Sequence, residues 1–188
     1  MPGSSPLTIE QAAACLKQGE VIAYPTEAVY GLGCDPRNQR AVRQVLALKE
    51  RPASAGLILI ADHFSRFKSF IKPLAPELEK RALAAWPGPV TWLVPRGSEV
   101  PSWLAGDHPT IALRIPDHPV CNALCAAFGG AIVSTSANPR QEEPARDLAG
   151  VETYFGTGLC GVVAGELGGG DNPSEIRDLV SGEVLRKG

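Results

Sequence analysis

The sequence predicts an α/β fold, and three observations carry that expectation. Segments with helical spacing alternate with short apolar runs along the chain, several of those runs end in small or hydroxyl residues, and no linker or fixed-period repeat divides the 188 residues. A chain of this length suits one domain over residues 1–188, large enough to bury its own core. Hydrophobic content of 44% and charged content of 20% are those of an ordinary soluble globular protein. The net charge of -2 supplies no global basic footprint, so nucleic-acid binding would need a local patch. No apolar run approaches the roughly 20 residues of a transmembrane helix. The N-terminal MPGSSPLTIE lacks the charged start and apolar stretch of a signal peptide. The expected location is the cytoplasm, away from membrane.

Taken in order, Thr8 with Gln11 resembles a capping box opening a helix to about Gln18, with Gly19 as its stop. Val21 to Tyr24 reads as a strand. Pro25, Gly31 and Gly33 then mark a bent segment in which backbone approaches something closely. Thr26 and Glu27 fall just beyond the strand end, where α/β proteins commonly bind ligands, although a polar turn explains them equally well. Asn38 to Leu48 is helical. Asp62 is placed to cap a helix holding Phe64, Phe67 and Phe70, and Pro76 to Ala85 forms another. WPGPV, from Trp86, is a rigid turn before the strand Thr91 to Val94, with Trp86 and Trp92 as packing residues. Thr110 to Ile115 is a strand carrying Arg114, whose charge needs an anionic partner there. That anion is either a protein carboxylate or a bound one. His118 reads as a helix-start or turn residue; His63 and His108 receive no role.

Val120 to Phe128 is helical and Ala131 to Val133 a strand, followed by Ser134-Thr135-Ser136-Ala137-Asn138. In extended backbone Ser134, Ser136 and Asn138 would share a face. Asp147 to Phe155 reads as helix, and Gly161 to Ala164 and Glu183 to Arg186 as strands. The glycine-rich GELGGGDNPSEIRD has neither the GK[ST] of a P-loop nor dinucleotide GxGxxG spacing.

The densest chemistry lies between a helix end and a buried strand, in VLALKERPASAGLILI, Val45 to Ile60. Pro52 disfavours helix at Arg51, and residues two apart in extended backbone point to one side. Lys49 and Arg51 are therefore expected to aim into one space as an anion clamp; the plainer alternative is a solvated turn. The odd count of five cysteines (Cys15, Cys34, Cys121, Cys125, Cys160) without a secretory signal argues for reduced thiols. Cys121 and Cys125 have no second Cys/His pair at zinc spacing and read as small buried residues, so no metal ligand is assigned.

YPTEAVYGLG, LKERP, GPVT, LRIPDHP, VSTSAN, NPSEIRD and a C-terminal LRKG occur in that order. Together they closely resemble the YrdC-type threonylcarbamoyl-AMP synthase family, in its short bacterial single-domain form, from Val21 to the end. The resemblance implies a twisted mixed α/β sheet with flanking helices and a concave, positively charged face. It implies synthesis of threonylcarbamoyl-adenylate from L-threonine, bicarbonate and ATP, with release of pyrophosphate. Partner proteins then transfer the group to the adenosine 3′ of the tRNA anticodon. The family's catalytic and ATP-binding tetrad falls on Lys49, Arg51, Ser136 and Asn138, with Arg186 also reaching the nucleotide. The threonine site falls on Thr26, Arg114, Ser134 and Ser174. Mg²⁺ is expected to arrive with ATP, held mostly by phosphates.

Three departures from longer members stand out. Ile60 replaces a histidine, PRQEE follows Asn138 in place of a Ser-Gly turn, and no C-terminal second domain is present. The rival readings are an RNA-binding module gripping tRNA or ribosomal RNA without chemistry, and a nucleotide-binding regulator. Weak RNA binding is compatible with the enzyme. Phosphate-backbone binding would call for more Lys and Arg, whereas alternating hydroxyl and amide groups after one strand suit a small-molecule pocket.

Overall fold

A computed structural model describes residues 5–170 and 172–188. Met1 to Ser4, part of the stretch carrying no signal-peptide pattern, and Asp171 of the glycine-rich segment lie outside the described residues. The helices are α1 (Ile9–Lys17), α2 (Gln39–Leu48), α3 (Pro76–Ala84), α4 (Ser102–Ala105), α5 (Pro119–Phe128) and α6 (Leu148–Phe155). The strands are β1 (Ile22–Pro25), β2 (Tyr30–Gly33), β3 (Ile58–Ile60), β4 (Val90–Pro95), β5 (Thr110–Arg114), β6 (Ile132–Ser136), β7 (Gly161–Val162), β8 (Glu175–Asp178) and β9 (Val184–Arg186).

Local chemistry sets the helix starts. Thr8 and Gln11 form the expected reciprocal box, Gln11 N–H donating to Thr8 Oγ1 at 3.3 Å and Thr8 N–H to Gln11 Oε1 at 2.9 Å. Asn38 Oδ1 accepts from Ala41 N–H at the head of α2, and Asp147 Oδ1 from Gly150 N–H at the head of α6. These bonds satisfy orphan amides of the first turn.

The strands form one mixed sheet in the order β7-β1-β2-β6-β3-β5-β4-β8-β9. β3 runs parallel to β5 and antiparallel to β6, so Ile58 is flanked by Ala112 and Ser134, and Ile60 by Arg114 and Ile132. Side chains alternate between faces, and the two faces are covered differently. On one, Leu59, Val133, Leu113 and Ile111 pack with Val42, Val45 and Leu46 of α2 and with Phe64, Phe67 and Trp86 in the main core. On the other, Ala12, Cys15 and Leu16 of α1 and Cys121, Leu124 and Cys125 of α5 cover Ile22, Tyr24, Ile60 and Ile132. The rest of that second face (Ile58, Ala112, Arg114, Ser134 and Ser136) is the floor of a cavity.

Four expectations change. Cys15 and Cys160 form a disulfide, while Cys34, Cys121 and Cys125 are free and buried. Composition suggested reduced thiols, but the fold brings α1 against the segment preceding β7. The bridge spans a sequence separation of 145, a closure on the order of 5 kcal/mol in the chain-entropy picture. Phe64–Phe67 is a 3₁₀ turn rather than a helix reaching Phe70; His63 caps it by accepting from Ser65 N–H, and Asp62 instead pairs with Arg66 at 3.3 Å. Gly31 and Gly33 lie within strand β2, not in a bend. The close approach there is the ring of Tyr24, 2.7 Å from where a Cβ on Gly33 would stand. The fourth change, in the backbone around Arg51, belongs to the site.

Candidate active site

The cavity of about 710 Å³ opens on the partly uncovered face of the sheet. Thr26 and Glu27 in the β1–β2 turn, Arg114 at the end of β5, Ser134 and Ser136 on β6, and Ser174 beside β8 line it. Arg51 and Arg186 line the same cavity, Arg186 next to Ser174. Expected residues from six separate stretches of sequence thus meet around a single space.

Lys49 caps the C-terminus of α2, and its buried ammonium turns toward the end of β6. Its Nζ donates to the carbonyls of Ser136 (2.5 Å) and Asn138 (2.9 Å) and to Asn138 Oδ1 (3.1 Å), with Ser136 Oγ at 3.4 Å. An ammonium has three donors, so Lys49 is saturated by protein acceptors and braces the loop after β6. Asn138 fixes the same loop from its amide end, donating to the carbonyls of Pro139 and Glu142. The PRQEE departure is therefore closed by Asn138 itself.

Arg51 is exposed at the rim, its guanidinium donating to the carbonyls of Ala55 (3.2 Å) and Gly56 (3.0 Å). The expected extended route from Lys49 to Arg51 is not taken: Glu50 has φ of 49°, and Arg51 N–H closes onto Leu46 O at 2.9 Å. The chain passes through a left-handed residue to end the helix, as at many helix C-termini. The two cations nevertheless remain electrostatic neighbours. Burial first, then the charge of Arg51, pulls the Lys49 pKa from 10.5 to about 8. The same two causes, in the same order, lower Arg186, whose Nη2 donates to Ser174 O at 2.7 Å.

Arg114, by contrast, is paired. It donates from Nη2 to Glu27 Oε1 and from Nε to the carbonyl of Gly88 at 3.0 Å. Only 14% and 17% of the Arg114 and Glu27 side chains are exposed. Of the two anions left open for Arg114 by the sequence, the protein carboxylate is present, and it belongs to Glu27. Thr26 Oγ1 donates to Val29 O at 2.7 Å, holding the turn. Ser174 is buried and shares a 2.8 Å hydrogen bond with Thr91. Ile60 lines the cavity beside Arg114 in register.

The family model Sua5_yciO_yrdC, described as telomere recombination, matches residues 14–188. The chain belongs to that family. It is 52% identical over 186 residues to the threonylcarbamoyl-AMP synthase of Halorhodospira halophila, covering 99% of this chain and 97% of the relative. Among solved structures it is similar to P. abyssi Sua5 complexed with L-threonine, with a TM-score of 0.84 and 29% identity over 90% of this chain. The chain spans 50% of the length of that protein. E. coli YciO gives a TM-score of 0.81 and 27% identity, covering 96% of this chain and 88% of the other.

Sequence reasoning named Glu27 without giving it a partner and missed Thr91, His108, Glu143 and Arg146, three of which line the cavity. Glu27 carried a usable signal, since a lone arginine in an apolar strand asks for a carboxylate. The pairing of Glu27 with Arg114, 87 residues apart, needs the fold. Cys121 and Cys125 are absorbed by packing: their thiols point at the carbonyls of Pro25 and Ile60, and burial pushes both pKa values up.

Proposed function

We propose that this chain, as one YrdC-like domain over residues 1–188, is a threonylcarbamoyl-AMP synthase acting on L-threonine, bicarbonate and ATP. The observation that carries the reading is one cavity lined both by cations without a carboxylate partner among the described residues and by an ion pair. Arg51 and Arg186, neither with a carboxylate partner among the described residues, suit a polyphosphate. The Glu27–Arg114 pair, ringed by hydroxyls, suits an amino acid.

In this reading Arg114, Thr26, Ser134 and Ser174 hold threonine. Its amine attacks the carbon of bicarbonate, releasing water and leaving a carbamate. A carbamate oxygen then attacks the α-phosphorus of ATP and pyrophosphate departs, giving threonylcarbamoyl-adenylate. Arg51 and Arg186 offset the phosphate charge, while Lys49 and Asn138 hold Ser136 and the end of β6 against the nucleotide. Catalysis is by positioning and electrostatic stabilisation. No group of three His, Cys, Asp or Glu side chains able to hold a metal occurs among the described residues. Mg²⁺ would travel on the triphosphate, and no step here is assigned to it.

The product is an activated acyl group, which fits hand-over to tRNA threonylcarbamoyl-transfer proteins. No described helix is long and apolar enough to cross a membrane; the place of action in this reading is the cytoplasm. Weak RNA binding at the same cations would be incidental and salt-sensitive.

Incubation with ATP, bicarbonate and individual amino acids, measuring pyrophosphate, tests the reading. Release that depends on threonine and bicarbonate supports it. Tight, salt-insensitive RNA binding with no pyrophosphate release would replace it with the RNA-module reading.

A further inference from the structure

Glu27 is satisfied on one oxygen only. Oε1 accepts from Arg114 and from Asp117 N–H at 3.0 Å, whereas Oε2 is buried with no hydrogen-bond partner among the described residues. A desolvated carboxylate oxygen without a donor is costly, so its persistence calls for an explanation. The residue is not loosely placed. Gly168 N–H donates to Thr26 O at 3.1 Å and Gly170 N–H to Glu27 O at 2.8 Å. A Cβ on Gly168 would stand 3.0 Å from Glu27 Cα. The glycine loop closes on the backbone of Glu27 because it has no side chains there.

Arg114 mirrors this. Its Nε and Nη2 are engaged, and Nη1 makes no hydrogen bond to the described residues. Both side chains line the cavity. The ion pair thus has one unfilled anionic position and one unfilled cationic edge, both on side chains that line the cavity. That is the complement of an amino-acid zwitterion, with carboxylate on Arg114 and ammonium on Glu27. The terminal carboxylate torsion of Glu is broad, so a small turn, in which both oxygens move together, can bring Oε2 toward the cavity.

Resting on the threonine reading above and extending it, we propose that Glu27 is a catalytic residue that binds the substrate ammonium through Oε2 and accepts its proton. The step balances. The ammonium and bicarbonate yield carbamate and water, and the one remaining proton passes from nitrogen to the Glu27 carboxylate. The nitrogen lone pair freed by that transfer forms the new C–N bond, and a bicarbonate oxygen leaves as water. Without such an acceptor the amine stays protonated and has no pair to donate.

The test is Glu27→Gln, which keeps the shape and the acceptor toward Asp117 and Arg114 but removes the charge and the proton acceptor. Calorimetry on the full chain would compare L-threonine with its deaminated analogue 2,3-dihydroxybutanoate, which keeps the carboxylate and hydroxyl. The variant is expected to lose threonine affinity by about tenfold or more, the worth of one hydrogen bond to a charged group. Its affinity for the analogue, whose carboxylate would meet an Arg114 no longer neutralised by Glu27, should be unchanged or higher, and its turnover at saturating threonine reduced. Equal losses for both ligands would mean that Glu27 acts only by orienting Arg114, and unchanged threonine binding would remove Glu27 from the site; either overturns the proposal. If the variant does not fold, the wild type decides, because an analogue that binds as tightly as threonine shows that nothing reads the ammonium. Wild-type protein that forms no adduct with any amino acid defeats the proposed reaction, whereas active wild type with a flat ligand comparison defeats only the Glu27 assignment.

Discussion

Two sets of residues lining the cavity handle charge in opposite ways. Around Arg51 and Arg186 like charges are left together, and burial first, then the charge of Arg51, lowers the pKa values of Lys49 and Arg186. Around Arg114 the charge is cancelled by Glu27, with both side chains largely enclosed. A region prepared for a multiply charged anion can hold cations in mutual repulsion because the ligand relieves it. A region prepared for a zwitterion must offer both signs at once, so it is neutral before anything binds. The difference predicts that substitutions in the first region act on binding, whereas those in the second also act on the fold.

The largest effect is expected at Arg114. Removing one partner of an enclosed ion pair leaves the other charge unpaired, at a cost of about 3–5 kcal/mol. Arg114→Ala should therefore lower the denaturation midpoint markedly as well as the threonine affinity, with ATP affinity in the remaining folded protein changed far less. An Arg114→Ala protein with wild-type stability would show that Glu27 is not carrying a buried charge, and the contrast between the regions would fail.

Arg51→Ala is the counterpart. Arg51 is exposed and, among the described residues, donates only to the carbonyls of Ala55 and Gly56, so the thermal midpoint should stay near wild type. ATP affinity should fall by about 1.5–3 kcal/mol, the range for one charge-assisted hydrogen bond, with threonine affinity little changed. Loss of stability without loss of ATP binding would make Arg51 a loop residue and no more.

These two sites also show what the sequence could and could not convey. Periodicity and capping residues carried most of the elements: the Thr8–Gln11 box, the helix after Asn38 and the buried strand after Leu57 all stand as read. The serines on β6 were legible because alternation in a strand is a local property. The partner of Arg114 was not, because Glu27 approaches from another strand end. The Cys15–Cys160 bridge was hidden for the same reason, its two ends meeting only once β7 is in the sheet. Lys49 was read as aiming with Arg51 into one space; its ammonium bonds the carbonyls of Ser136 and Asn138 and the side-chain oxygen of Asn138, and no pattern of side chains announces a backbone acceptor.

Amino-acid choice sharpens the neutral region. Ile60 adjoins Arg114 in register and lines the cavity, giving an apolar wall where a substrate methyl can rest. Serine, lacking that methyl, should lose about 1–3 kcal/mol relative to threonine and remain a detectable substrate. Valine keeps a methyl but leaves a hydroxyl partner unsatisfied, so a larger loss in kcat/KM is expected. Ile60→Ala should shrink the threonine–serine gap, and valine matching threonine would remove hydroxyl recognition from Thr26, Ser134 and Ser174.

The smallest expected effect is a pH step in ATP affinity, and Lys49 carries it. Its pKa is lowered to about 8, so the folded protein without nucleotide loses this proton in a range where an unfolded lysine keeps its own. The unfolded chain therefore binds more protons between about pH 8 and the unperturbed value near 10.4, and the Lys49 contribution to stability becomes more favourable as pH rises across that window. Nucleotide binding has the opposite sign. Phosphate favours the ammonium, so uptake of a proton accompanies ATP binding above pH 8, and affinity falls by at most about tenfold per pH unit there. Deprotonation also removes one of the three donors holding Ser136 and Asn138, which loosens the end of β6 at the same pH. Lys49→Arg keeps a charge at all these pH values and should flatten the step while weakening the brace, because a planar guanidinium cannot reproduce the three acceptor directions of the ammonium. Calorimetric titration of ATP from pH 7 to 9.5 in buffers of different ionisation enthalpy would count the proton taken up. A wild-type profile as flat as that of the arginine variant would mean that the Lys49 charge is held firmly by its carbonyl acceptors and that burial does not govern it.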